Sequence, residues 1–76
     1  MPHIIVKLWP GRSEDQKKQM TDKIVKVIKN TTGAPESSIS IAIEEVPEEK
    51  WAEEVYKPDI IGKEHLLYKK PGYRCI

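Results

Sequence analysis

The chain has 76 residues, with 13 Lys and Arg against 12 Asp and Glu, and a net charge of +1 with His counted neutral. A near-zero balance argues against nucleic acid, whose phosphates require a basic excess or stripe, and no run approaches the ~20 apolar residues of a membrane-spanning helix. With 38% hydrophobic and 33% charged residues, the composition is that of a small globular domain.

A chain this short buries a small share of its surface and needs a staple. Cys75 is the only cysteine, which excludes an internal disulfide and Cys-rich zinc. His3 and His65 lack the short ligand spacing of a structural metal site, so no metal is expected. Oligomerisation is the staple that remains. The first residues, Met1 to Lys7, carry neither a basic n-region nor a signal-peptide apolar core, and the chain is expected in the cytoplasm.

In chain order, Pro2 to Trp9 reads as a strand, with Ile4, Val6 and Leu8 on one face and His3, Ile5, Lys7 and Trp9 on the other. Pro10-Gly11 breaks it. Ser13-Glu14-Asp15-Gln16 is a capping box, and its two acids suit the positive end of a helix dipole. Met20, Ile24, Val27 and Ile28 then mark one helical stripe. Lys17, Lys18, Lys23, Lys26 and Lys29 are interleaved with Glu14, Asp15 and Asp22, the pattern of a solvated face. Gly33 suits the left-handed position that ends the helix. After the Ala34-Pro35 loop, Ser38 to Val46 reads as a second strand, with Ile39, Ile41 and Ile43 on one face and Ser38, Ser40, Ala42 and Glu44 on the other, stopped by Pro47.

Beyond Pro47, Glu48 to Tyr56 is expected to be a short helix with Trp51, Ala52, Val55 and Tyr56 on one face, ended by Pro58. Asp59 to Tyr68 reads as a turn and a further short helix. Lys69-Lys70-Pro71-Gly72-Tyr73 reads as a turn into a terminal extended segment. The expected fold is α/β (α+β): a β-α-β unit with parallel strands, in one domain over residues 1–76. Two parallel strands under one helix do not make a stable unit, so a second subunit is expected to complete the sheet.

No phosphate loop, Ser-His-Asp set, HExxH or CxxC is present. A lone histidine such as His3 or His65 is more often a surface residue than an acid or base. Glu44-Glu45 and Glu48-Glu49 fit capping and dipole roles better than catalysis. The unusual feature is Pro2. Aminopeptidases generally remove Met before Pro, leaving a secondary amine whose class titrates near ~7.7–8.0, close to a useful general base. An apolar site or a nearby cation lowers that value by disfavouring the ammonium.

Met1-Pro2 opening directly into a strand, the Gly11-Arg12-Ser13 corner, the Ala34-Pro35 loop and Trp51, in that order and spacing, resemble the 4-oxalocrotonate tautomerase family. The Lys69-Lys70-Pro71-Gly72-Tyr73 tail is similar to that of the longer-tailed bacterial members that isomerise phenylenolpyruvate-type enols and form dimers. The resemblance implies a cofactor-free keto–enol tautomerase with Pro2 as general base. It implies that Arg12 binds a carboxylate or carbonyl oxygen, for which a planar, permanently charged fork is suited. It also makes Trp51 an apolar wall that keeps the amine neutral.

Members that take dicarboxylates carry a second arginine early in strand two, and Ser40 stands there. Ser40 offers a hydrogen bond but no charge, so a small mono-acid enol is the expected substrate. The expected partners are that small molecule and a second copy of the chain, as a homodimer or alternatively a hexamer. Two other readings remain at this point: a hydratase or dehalogenase of unsaturated acids, and a non-catalytic dimeric interaction module.

Overall fold

The structure is a computed structural model and describes residues 1–75. It divides into two compact units, Met1–Glu45 and Val46–Ile76.

In the first unit, β1 (His3–Leu8), α1 (Glu14–Thr32) and β2 (Ser40–Glu45) form the expected parallel β-α-β. Pairing runs from His3↔Ser40 through Val6↔Ile43 to Leu8↔Glu45. β1 begins one residue later than the sequence suggested because Pro2 has no N–H to give the ladder. β2 begins at Ser40 rather than Ser38. Ser38 spends both its N–H (3.0 Å) and its Oγ (2.9 Å) on the Pro35 carbonyl, closing a 3-10 turn over Glu36–Ser38.

The capping box is complete: the Gln16 N–H donates to Ser13 Oγ at 3.1 Å and the Ser13 N–H to Gln16 Oε1 at 2.9 Å. At the other end Gly33, at φ 77°, donates its N–H to the Lys29 carbonyl at 2.9 Å. One member of the anticipated stripe is misplaced. Val27 is 60% exposed, whereas Met20, Ile24 and Ile28 are half-buried together with Thr21 and Val25. Val27 lies one residue, about 100° of turn, from Ile28, which carries it off the sheet-facing line.

Ile41 and Ile43 face α1 across a cleft of about 400 Å³ that Lys17 and Thr21 also line. Ile4, Val6 and Leu8 are half-buried on β1, while Ile5, pointing the other way, is 50% exposed. No residue of β1, α1 or β2 is fully buried.

The second unit departs further from expectation. α2 (Glu48–Trp51) runs straight on as a π-helix, Ala52–Ile61, that contains Pro58. Pro58 therefore does not end the helix. A proline ring collides with the carbonyl four residues back in α winding, and the wider i→i+5 winding relieves that contact. The segment closes at Gly62, whose N–H donates to the Lys57 carbonyl five residues back at 2.8 Å. Asp59 to Ile61 thus belong to this helix, and the next helical piece is a single 3-10 turn, Glu64–Leu66. Among the described residues after Leu66 there is neither helix nor strand. The buried residues of the described chain are Val46, Val55 and Tyr56, all in this unit. As anticipated, Val55 and Tyr56 share the inward side with half-buried Trp51 and Ala52. No helix among the described residues is long and apolar enough to cross a membrane.

Candidate active site

Pro2 stands immediately before β1, half-buried, with its carbonyl accepting the Ser40 N–H at 3.1 Å. That bond extends the ladder by one position and fixes the backbone on which the proline ring is carried. Met1, ahead of it, is fully exposed.

Ser40 is therefore a neighbour of Pro2, but its hydroxyl is already engaged. Ser40 Oγ lies 2.7 Å from His3 Nδ1, the two residues being register partners on the face away from α1. The sequence reading put both on the outward faces of their strands and treated His3 as a lone histidine. Only the register, which pairs them, was missing.

Arg12 lies in the corner between β1 and α1, after Gly11, whose φ of 122° lets the chain turn where a side chain would be strained. The start of α1 sits at the far end of the strands, where Lys17 Nζ pairs with Glu45 Oε1 at 3.2 Å and Glu45 is the partner of Leu8. Six strand residues separate Pro2 from that end, about 20 Å at the usual rise. Arg12 thus immediately precedes a helix whose first turns lie at the opposite end of the ladder from Pro2. The ion pair with Glu45, and then Glu14, raises the Lys17 pKa above its ordinary value of 10.5, against the opposing effect of desolvation.

Trp51, in the second unit, donates its indole N–H to the Tyr73 hydroxyl at 3.1 Å. The Tyr73 ring is tilted 40° to that of Tyr56, centroids 5.8 Å apart. In the sequence Tyr73 stands only in the Lys69-Lys70-Pro71-Gly72-Tyr73 turn and in the tail that resembles the longer-tailed members, with no role of its own. No periodic signal joins it to Trp51, because the tail that carries it is irregular. Among the described residues no group of three or more His, Cys, Asp or Glu side chains could hold a metal.

The family profile described as tautomerase enzyme matches residues 2–56. A probable tautomerase of Xylella fastidiosa is 41% identical over 73 residues, covering 96% of this chain and 89% of that protein. The tautomerase PptA of Pectobacterium atrosepticum is 45% identical over 76 residues, covering 96% and 97%. Among solved structures, YwhB, a homologue of 4-oxalocrotonate tautomerase, superimposes with a TM-score of 0.61 at 38% identity, over 62% of this chain and 77% of that one. With its parallel β-α-β unit and Pro2 at the head of the first strand, the chain belongs to the tautomerase family and is an isomerase.

Proposed function

We propose that the chain is a keto–enol tautomerase of small 2-hydroxy-unsaturated and 2-oxo mono-acids, phenylenolpyruvate-like, with the nitrogen of Pro2 as general base once Met1 is removed. The observation that carries this reading is the seat of Pro2: half-buried at the head of β1 and pinned through its carbonyl to Ser40. Full exposure of Met1 leaves it open to an aminopeptidase. The free amine takes the enol hydroxyl proton and returns it to C3 as the C2–O bond becomes a carbonyl. Atoms balance within the substrate, and no oxidant or reductant is involved.

Arg12 binds the carboxylate in this reading and acts from a second copy of the chain, since a strand length of ~20 Å separates Pro2 from the end of the sheet where α1 begins. The scarcity of buried residues supports the same assembly, a homodimer with a shared sheet, since apolar groups such as Ile5 and Val27 are left uncovered in one copy. The hydroxyl of Ser40, held by His3, brings no charge to the site. A second carboxylate therefore lacks a counter-ion, which favours mono-acids. Trp51 supplies an apolar wall in the same assembly.

Acylating the mature terminus, or forcing Met1 to stay, should abolish tautomerisation of phenylenolpyruvate while circular dichroism and sedimentation remain those of the parent. The rate of the unblocked enzyme should fall as acid protonates the amine. A blocked protein that still turns over at the parent rate removes Pro2 from the reaction.

A further inference from the structure

In the tail of the second unit, Tyr73 meets two aromatic residues, Trp51 and Tyr56. Tyr73 accepts the Trp51 indole N–H at 3.1 Å and lays its ring 5.8 Å from that of Tyr56, which is only 4% exposed. Trp51 and Tyr56 are five residues apart. In uninterrupted α winding they would point about 140° away from each other. From Ala52 onward the helix winds i→i+5, which stacks residues five apart on nearly one side. One tyrosine can then meet both.

We propose that Tyr73 is a positioning residue for Trp51: it locks the indole in one orientation, and through it sets how the enzyme discriminates aryl from alkyl enol acids. This rests on the reading of Trp51 as a wall of the substrate site. A tryptophan held only by half-burial samples several rotamers. One whose N–H is bonded, to a hydroxyl whose own ring packs at a tilt against a buried tyrosine, presents a fixed flat face. A fixed face favours a planar aryl group by stacking and gives a small alkyl group much less. The tail's exposed ion pair, Lys70 to Glu64 at 3.5 Å, contributes little, whereas Leu67 and Pro71 are half-buried and line a cavity with Ile60 and Tyr56.

The test uses the full-length enzyme with Trp9→Phe, so that Trp51 is the only indole. Adding Tyr73→Phe keeps the ring and deletes the hydroxyl. The indole emission should shift, and the ratio of kcat/KM for phenylenolpyruvate over an alkyl enolpyruvate should fall by about three- to tenfold, the range of one lost hydrogen bond. The far-UV spectrum and sedimentation should not change. Tyr73→Ala, which also removes the ring contact with Tyr56, should move both readouts further in the same direction.

Unchanged emission, or an unchanged ratio where Trp51→Ala does alter it, overturns the positioning role and leaves Trp51 in the site. A ratio indifferent to Trp51→Ala as well overturns the wall reading, and the proposal with it. Neither result touches Pro2, which the blocked-amine experiment decides.

Discussion

The two units of the chain are built on opposite plans. Residues up to Glu45 form regular secondary structure, with a complete capping box and a six-residue parallel ladder, yet none of the strand or helix residues there is buried. Residues from Val46 onward form four α-helical residues, a π-helix around a proline, a 3-10 turn and an irregular tail, yet hold the buried Val46, Val55 and Tyr56. Regular backbone and a buried core are thus separate achievements. Hydrogen bonds close within an element, but side chains stop being exposed only when another element lies on them. The first unit has closed its helix and its one ladder, and it still has two open sheet edges and no cover for its apolar groups, which is why the proposed second copy matters more to it.

This contrast can be broken from the second unit first. A Cβ on Gly62 would stand 2.6 Å from the Pro58 carbonyl oxygen and 3.1 Å from that of Lys57, both backbone atoms that cannot swing aside. Gly62→Ala should therefore unwind the close of the π-helix and cost about 1–3 kcal/mol, the usual range for overpacking. Urea denaturation checks it, and an unaltered midpoint would mean that the tight turn at Gly62 is not needed for stability. In the first unit the corresponding lever is smaller. Ser13→Ala removes the acceptor for the Gln16 N–H and should cost about 1 kcal/mol in the same assay.

The smallest effect is visible only against pH. Because Lys17 is held protonated by Glu45 and Glu14, its folded pKa lies above its unfolded value of 10.5. Its contribution is fully present below pH 10.5 and is lost as pH rises through the folded pKa. Lys17→Met should flatten that alkaline decline and leave the Gly62→Ala deficit unaltered, which thermal melts across the alkaline range would register.

What could be read without coordinates follows the same division. The β1 and β2 assignments, the capping box and the Gly33 stop each rest on signals spanning a few neighbouring residues, and each is found within two residues of its expected place. Pro58 is the instructive error. A proline ends an α-helix by colliding with the carbonyl four residues back, but that rule presumes α winding, and here the winding itself has changed. The site residues divide in the same way. Pro2 and Ser40 share one end of the sheet as their strand positions imply, whereas Arg12 precedes a helix whose first turns pair with the other end, at Glu45.

By itself the sequence determined the β-α-β unit, its parallel sense and the seat of Pro2, because capping, alternation and proline chemistry act over a few bonds. Only the tertiary structure decided that Ser40 is paired with His3, that Val27 faces outward, and that Tyr73 joins Trp51 to Tyr56. Those contacts depend on strand register, on the rotation of a helix about its axis and on the path of an irregular tail. Such quantities are set by packing between elements distant in sequence, and no local pattern encodes them.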